Sequence, residues 1–232
     1  LMKNIILQHF TPNYTEKENN GLRELDQLSV ANIKEYAKMI GADYELVLGQ
    51  VFRKHLTPPC QKVFLLDEKW DDYDNVLMLD IDMFAPRGMD INVFEERGIG
   101  LYADTQKMLH NKIARQYPMI ANTGSHYWGG AIYKMDKPTR KKLRKELGGN
   151  EGWMNNYNEA YHFEDEGIFH TLVFRSGFKT KHPYMDQKWC QCSFLPNPEK
   201  AGFIHIRTKI TPQGPKRAKI DNYKDLVERG IL

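Results

Sequence analysis

Residues 76–82 read Val-Leu-Met-Leu-Asp-Ile-Asp, and they bear more directly on the fold than any other stretch. The four consecutive apolar residues predict a short buried strand. The two carboxylates that follow, Asp80 and Asp82, therefore stand at the carboxyl end of that strand. Ligands of parallel α/β sheets bind at such ends, so this stretch predicts a ligand site as well as a strand.

The residues that precede this strand predict two strand–helix units. Short buried strands are expected over residues 3–10 and 42–48. Residues 29–40 have apolar side chains at helical spacing and are followed by Gly41, a common helix stop. A second helix is expected over residues 62–70. This alternation predicts an α/β fold with a mixed, mostly parallel central sheet flanked by helices.

The second half of the chain is less regular. Strands are expected over residues 99–103, 128–134 and 202–207, and residues 163–174 mix acidic residues with an apolar helical face. The sequence has neither an internal repeat nor a linker that would divide it. We therefore expect a single domain over residues 1–232.

The composition excludes several classes of protein. A chain of 232 residues, 41% of them hydrophobic, can bury a substantial core. Its net charge of +3 is too small to indicate a nucleic-acid-binding protein. No apolar run approaches the ~20 residues that span a bilayer, so no transmembrane segment is expected. Three cysteines, an odd and sparse number, favour reduced thiols and a cytoplasmic location, the host cytoplasm if the protein is viral.

A basic stretch over residues 137–145 predicts one exposed helix with a narrow buried edge. Leu143 and the nearby Leu147 are its only apolar positions, four residues apart. The lysines and arginines around them are typical of a solvated helix face. A patch for a membrane or an anionic partner is the alternative.

The sequence contains two Asp-x-Asp tripeptides, and their contexts differ. The first, at residues 72–74, lies in a charged turn, whereas Asp80 and Asp82 follow a buried strand. Two carboxylates at this spacing can bind one hard cation that also binds phosphate oxygens. Such a cation neutralises the charge that develops on a departing diphosphate. The alternative is a strand-end turn with solvated acids.

His205 is the predicted third metal ligand. Its neighbours Ile204 and Ile206 point to the opposite face of a late strand, so His205 projects away from the side that they bury. A neutral imidazole beside two carboxylates is a good ligand set for Mn²⁺. A surface histidine is the alternative.

Three consecutive acids, at residues 164–166, provide candidates for catalysis. One carboxylate can act as the general base that deprotonates an acceptor hydroxyl. Alternatively, a carboxylate can act as a nucleophile. Asp165 is the first choice and Glu166 the second. Acids also favour the first turn of a helix because of its dipole, so a structural role is the alternative.

Two further features have both a functional and a structural interpretation. Gly129 and Gly130 allow close approach of the backbone to a ligand, or form a simple turn into a strand. Arg207 and Lys209 are placed to meet a diphosphate, or form a solvated basic strand end.

The stretch at residues 75–84 resembles the Asp-x-Asp strand of the GT-A-fold glycosyltransferases, which use nucleotide-sugar donors. Lys62 resembles a basic residue that these enzymes place near the donor. Residues 127–133 are similar to their strand beside the donor sugar, and residues 164–169 resemble their Asp-Gln-x-x-Leu-Asn helix start. Residues 203–209 resemble the late strand whose histidine completes the metal site.

This resemblance covers roughly residues 3–210 and depends on the order of motifs that are each weak alone. It is greatest to the galactosyl/xylosyl and glycogenin-like groups and to related viral and bacterial enzymes. The chain departs from them at Trp128, where Asn or Ser is common, and at His170, where Asn is usual. These departures bear on the identity of the donor sugar and on the retaining or inverting outcome.

The resemblance implies one GT-A-like (Rossmann-like) domain, with a donor half over about residues 1–100 and an acceptor half over about residues 101–232. It implies Mn²⁺ or Mg²⁺ bound by Asp80, Asp82 and His205, a UDP-sugar donor, and a glycan, glycolipid or glycoprotein acceptor. The residues expected at the donor, with its base and ribose at the end of the first strand, are Gln8, His9, Phe10, Thr11, Lys62, Asp80, Ile81, Asp82, Gly129, Gly130 and Lys209.

Two other functions compete with this one. Haloacid-dehalogenase-like phosphatases also place Asp-x-Asp after a buried strand. They do so on the first strand with a small residue two positions beyond the second Asp, where this chain has Phe84. Their later acidic pair has only Asp221 and Asp225 as candidates. A nucleotide-sugar- or glycan-binding module without turnover is the non-enzymatic alternative, although such a module has little need of a metal beneath a leaving group.

Overall fold

The computed structural model describes residues 2–12, 22–54, 56–97, 101–104, 127–149, 164–177, 184–211 and 213–232. Its strands are, in chain order, β1 (Asn4–Phe10), β2 (Asp43–Leu48), β3 (Asn75–Leu79), β4 (Met83–Phe84), β5 (Leu101–Asp104), β6 (Tyr127–Asp136), β7 (Gln191–Cys192) and β8 (Ile204–His205). Its α-helices are α1 (Glu24–Met39), α2 (Lys137–Leu147), α3 (Glu164–Arg175) and α4 (Lys219–Glu228).

Five strands form the central sheet in the order β2-β1-β3-β6-β5. Strand β1 is parallel to both β2 and β3, and β6 is antiparallel to β3 and β5, so four of the five strands run in one direction. The mixed, mostly parallel sheet expected from the sequence is therefore confirmed. Gln8 on β1 pairs in register with Leu79 on β3, which brings His9 and Asp80 to the same edge of the sheet.

Alternate residues of β1 and β3 face two cores on opposite sides of the sheet. Ile5, Leu7, Val76 and Met78 pack with residues 58–70 and with α3, whereas Ile6, Leu77 and Leu79 pack with α1. Helix α1 buries Ile33, Tyr36 and Ala37, as its spacing predicts, and Gly41 follows it with a φ of 70°. The arrangement has three layers, with the sheet in the middle.

A second, smaller sheet has the order β4-β8-β7. Met83 pairs with His205 in the antiparallel ladder between β4 and β8. The amide of Ile206 donates to the carbonyl of Asp82 at 3.0 Å. This small sheet therefore places His205 beside Asp82, although more than half of the chain lies between them.

The helix expected over residues 62–70 is present in a different form. The chain makes two 3₁₀ helices instead, Pro58–Leu66 and Glu68–Trp70. They meet at Asp67, which is extended (ψ 147°) and accepts a hydrogen bond from the amide of Lys69 through its side chain. This local bond ends one helix and begins the next, so a continuous α-helix does not form.

Helix α2 buries more of its basic residues than the sequence predicts. Leu143 is buried as expected, but Arg140 is 0% exposed and Arg144 is also buried. Arg140 donates to the carbonyls of Met135, Trp70 and Tyr73 at 2.7–3.0 Å. Arg144 donates to the carbonyl of Leu66 at 2.8 Å. The interpretation of these arginines as part of a solvated face was wrong, because they donate to carbonyl groups of β6 and of the segment before β3.

Helix α3 confirms the helix expected over residues 163–174, within one residue at each end. The three cysteines, at positions 60, 190 and 192, are not joined to one another by disulfides. Among the helices in the described ranges, none has the length and apolar character needed to cross a bilayer.

Candidate active site

The predicted metal ligands meet where the central sheet adjoins the small sheet. Asp80 follows β3, Asp82 directly precedes β4, and His205 lies on β8. One ligand atom from each of the three lies within 4.8 Å of the others. His205 Nε2 is 3.1 Å from Asp82 Oδ1 and 4.0 Å from Asp80 Oδ2.

Each of the two carboxylates divides its oxygens between a lysine and this cluster. Asp80 Oδ1 accepts from the ammonium group of Lys62 at 2.9 Å, and Asp82 Oδ2 accepts from that of Lys219. Asp80 Oδ2, Asp82 Oδ1 and His205 Nε2 are therefore the atoms turned toward one another. Two carboxylate oxygens and one imidazole nitrogen are a donor set that fits Mn²⁺, and Mg²⁺ less closely.

The charges around Asp82 keep it ionised. Burial alone would raise its pKa, but His205 and Lys219 together hold the pKa of Asp82 well below its usual range. An ionised carboxylate is the form that binds a cation. His205 and Lys219 therefore keep Asp82 in the protonation state that a metal ligand requires.

Lys62 is the centre of a buried polar network. Its Nζ lies 2.9 Å from both Asp80 Oδ1 and Asp165 Oδ2, and it donates to the carbonyl of Gly130 at 2.5 Å. Burial favours the neutral amine, yet the carboxylates of Asp165 and Asp80 raise the pKa of Lys62 above its usual value. Lys62 thus stays charged and ties β3, β6 and α3 together.

The predicted acids lie in the first turn of α3, and both are buried. Asp165 Oδ2 accepts from the Tyr133 hydroxyl at 3.0 Å as well as from Lys62. Glu166 Oε1 accepts from the amide of Gly130 at 2.6 Å. Asp165 is therefore enclosed by hydrogen-bond donors, and Glu166 is bound to the backbone of β6.

The side chains of Asp165 and Glu166 approach β6 so closely that they leave no room for a side chain at Gly130. A Cβ at this position would lie 2.8 Å from Asp165 Oδ2 and 3.0 Å from Glu166 Oε1, closer than side chains tolerate. The predicted close approach at Gly130 is present, but its partners are the two carboxylates. Its neighbour Gly129 lies in the same strand.

A pocket of about 260 Å³ opens beside the cluster, at the ends of β1 and β3. It contains most of the residues that the sequence predicts at the donor, together with two prolines. The lining residues are His9, Phe10, Thr11, Pro58, Pro59, Lys62, Asp80, Ile81 and Asp82.

Gln8 differs from the prediction because its side chain is fully buried. It donates to the Asp80 carbonyl at 3.1 Å and to Ser29 Oγ at 2.9 Å, and it accepts from the Tyr44 hydroxyl at 2.9 Å. Side chains alternate along a strand, and Gln8 points away from the pocket that His9 lines. The prediction of direct donor contact by Gln8 was wrong, and its contacts instead fix the backbone at Asp80.

His9 is neutral and its tautomer is determined by its partner. His9 Nε2 lies 2.7 Å from the carbonyl oxygen of Gly49, which can only accept, so Nε2 carries the hydrogen. Burial lowers the pKa of His9 to about 4. The pocket wall therefore contains an uncharged imidazole.

Lys219 is the site residue that the sequence analysis missed. Lys209, the residue expected near the phosphates, is exposed and pairs with Lys216 through an isolated β-bridge. Lys219 begins α4 and contacts Asp82. It follows a loop rich in Pro, Gly and Lys, and no local pattern distinguishes it from the other lysines of that segment.

Comparison with known proteins identifies the fold. No protein-family model and no curated protein matches the sequence. The structure is similar to that of a glycosyltransferase involved in the glycosylation of the major capsid of PBCV-1, with a TM-score of 0.54, 13% identity, and coverage of 97% of this chain and 99% of that one. The chain thus has the mixed α/β, GT-A-like fold of glycosyltransferases.

A second similar structure is the galactosyltransferase LgtC, solved in complex with donor and acceptor sugar analogs. The TM-score is 0.50 at 12% identity, and the match covers 95% of this chain and 94% of that one. The resemblance inferred from the order of the motifs is therefore confirmed at the level of the fold.

Proposed function

We propose that the chain is a metal-dependent glycosyltransferase. It moves a sugar from a nucleoside-diphosphate sugar, preferably a UDP-sugar, to a hydroxyl group of a glycan, glycolipid or glycoprotein. The observation that carries this proposal is the cluster of Asp80, Asp82 and His205 beside a pocket at the strand ends. This cluster lies in a chain with the fold of glycosyltransferases.

The site divides into a metal part and a nucleotide part. Asp80 Oδ2, Asp82 Oδ1 and His205 Nε2 would hold Mn²⁺ or Mg²⁺. A cation there neutralises the negative charge that develops on a leaving diphosphate. The pocket wall around His9, Phe10 and the adjacent Thr11 would take the base and the ribose.

The transfer step is a substitution at the anomeric carbon. The bond between that carbon and the β-phosphate oxygen breaks, and its electron pair leaves with the nucleoside diphosphate. The acceptor oxygen forms the new bond to carbon, and its proton passes to a carboxylate or to the leaving group. We assign the role of the catalytic carboxylate to Glu166 before Asp165, because Asp165 is enclosed by Lys62 and Tyr133.

We further propose that the whole chain forms one catalytic domain. Asp80 and Asp82 belong to the donor half (residues 1–100), whereas Asp165, His205 and Lys219 come from the acceptor half (residues 101–232). The two halves are joined at the site by contacts of Asp165 with Lys62 and of His205 and Lys219 with Asp82. Neither half contains the complete ligand set.

The phosphatase alternative finds less support in these contacts. Asp225, one of the two acids available for its later acidic pair, faces Arg217 and Arg229. The Asp-x-Asp motif also follows the third strand of the chain, which is the middle strand of the sheet.

A thermal-shift panel tests the proposal. UDP-, GDP- and dTDP-sugars are each added with Mn²⁺ or with EDTA to the wild type, to Asp82→Asn and to Asp72→Asn. A ligand at about 100 times its Kd adds ~2.7 kcal/mol, which corresponds to a rise in Tm of about 5–10 °C for a chain of this length. We expect this rise for UDP-sugars with Mn²⁺ in the wild type, and none in Asp82→Asn.

Asp72→Asn is the matched control, because it changes an exposed acid of the other Asp-x-Asp tripeptide. It should retain the full response. If no nucleotide stabilises the wild type in a metal-dependent way, the proposed function is wrong. Release of UDP that depends on an added acceptor, and no release of inorganic phosphate, would separate transfer from the phosphatase alternative.

A further inference from the structure

Lys219 places a positive charge directly on one of the metal ligands. Its ammonium group pairs with Asp82 Oδ2, on the carboxylate whose other oxygen faces His205. The side chain of Asp82 is 9% exposed and that of Lys219 is 30% exposed. Water therefore screens this pair only partly.

The backbone that carries Lys219 is held in place from both ends of α4. Asn222 donates to the carbonyls of Arg207 and Lys209 at 2.5 and 3.2 Å, just after the strand that carries His205. Beyond the helix, the Ile231 carbonyl accepts from the amide of Arg87 at 2.7 Å. The helix is thus fixed on the site, while the flexible four-carbon stem of a lysine lets its ammonium group change partners.

The charge at Lys219 has opposite effects on the two ligands of the proposed reaction. A divalent cation at the cluster would lie close to the ammonium group, and like charges repel strongly where screening is weak. A diphosphate has the opposite charge, and its oxygens are alternative partners for an ammonium group. One residue therefore opposes the cation and attracts the nucleotide.

We propose that Lys219 is a charge-exchange residue that couples binding of the metal to binding of the nucleoside diphosphate. In the free protein it occupies Asp82 and weakens binding of a free cation. When the diphosphate arrives with the cation, the ammonium group transfers from Asp82 to phosphate oxygens. This inference rests on the proposed function. It adds that the cation binds more tightly when the nucleotide is bound, and that the nucleotide binds more tightly when the cation is bound.

Replacing Lys219 by methionine tests the exchange, because the two affinities should change in opposite directions. In Lys219→Met we expect Mn²⁺ alone to bind about tenfold more tightly, since the repulsion is removed. We expect UDP in the presence of saturating Mn²⁺ to bind about tenfold more weakly, since a charged partner is lost. A residue with only a structural role would weaken both.

The measurements use Mn²⁺ and UDP as probes. Free Mn²⁺ is followed by its electron paramagnetic resonance signal in titrations without UDP, and UDP binding is followed by calorimetry at saturating Mn²⁺. Lys219→Arg, which keeps the charge, should restore the wild-type coupling. Lys224→Met is the matched control, because it removes an exposed lysine from the same helix. If Lys219→Met does not fold by circular dichroism, Lys219→Gln replaces it.

Each outcome decides between the two proposals. Opposite shifts in Lys219→Met, with none in Lys224→Met, support the exchange. The exchange is overturned if the affinities for Mn²⁺ and UDP shift in the same direction in Lys219→Met, or if Lys219→Met and Lys224→Met behave alike. In that case the proposed function still stands, provided that the wild type binds Mn²⁺ and UDP. A wild type that binds neither probe overturns the proposed function and the exchange with it.

Discussion

The ammonium group of Lys62 lies 2.9 Å from the carboxylate of Asp165, and the two side chains are only 9% and 4% exposed. Lys62 precedes β3, and Asp165 lies in the first turn of α3. This buried ion pair joins the two halves of the chain directly behind the candidate metal cluster. Its neighbours include Asp80, so its loss affects both stability and the site.

Lys62→Met should destabilise the protein by about 3–5 kcal/mol, because removal of one partner leaves buried carboxylates without their counterion. The free energy of unfolding in urea measures this. The matched control is Lys69→Met, which removes an exposed pair with Glu45 and should cost at most about 1 kcal/mol. Equal losses in the two variants would contradict the importance of burial.

Gly130→Ala should reduce both stability and activity. The added methyl group would meet Asp165 and Glu166 at 2.8–3.0 Å, and overpacking of this kind typically costs about 1–3 kcal/mol. Unfolding in urea measures the cost, and acceptor-dependent release of UDP measures the effect on the site. Wild-type values in both assays would show that the carboxylates can move aside without consequence.

His9 should make the protein less stable as the pH falls from 6.5 toward 4. Its pKa is about 4 in the folded state and 6.5 in the reference state. The unfolded chain therefore binds more protons over this interval, and stability rises with pH across it. Discounted for partial solvation, the full effect is about 2–3 kcal/mol.

The comparison of the wild type with His9→Gln isolates this contribution. Glutamine does not titrate, so the difference in unfolding free energy between the two proteins should change steadily between pH 6.5 and pH 4. Other groups, such as Asp82, contribute to both curves and cancel in the difference. Parallel curves would mean that His9 does not remain neutral in the folded protein.

Arg140→Met should destabilise the protein by about 2–4 kcal/mol without a direct effect on the site. The variant leaves three carbonyl groups, at Met135, Trp70 and Tyr73, without their charged donor. Lys141→Met, on the exposed side of the same helix, should stay within about 0.5 kcal/mol of the wild type. A comparable loss in Lys141→Met would show that the basic helix acts as a whole.

The sequence predicts those strands and site residues whose pattern lies within a few neighbouring residues. The buried runs that became β1 and β3 are short and apolar, and Asp80 and Asp82 directly follow the second of them. His205 could be identified because Ile204 and Ile206 flank it. In each case the informative residues are neighbours in the chain, which is what periodicity detects.

The remaining parts of the site depend on contacts between distant residues. The two-residue strand β4 is too short to give a pattern of its own, and it exists because it pairs with β8. Lys219 lies in an ordinary polar segment until α4 packs against the site. Burial of Gln8 and of Arg140 likewise depends on carbonyl groups far away in sequence. Predictions from strand position and from the local charge pattern therefore assigned them to the wrong environment.

The small sheet also has a consequence for how the chain is held closed. The pairing of the short strands β4 and β8 brings Asp82 and His205 together across more than half of the chain. An ion bound by both residues would act as a reversible cross-link and would lower the entropy gained when the very long loop between them opens. A cation at the proposed site would thus also fasten residues 205–232 to the rest of the chain, so that chelation would loosen this C-terminal segment and expose it to proteases.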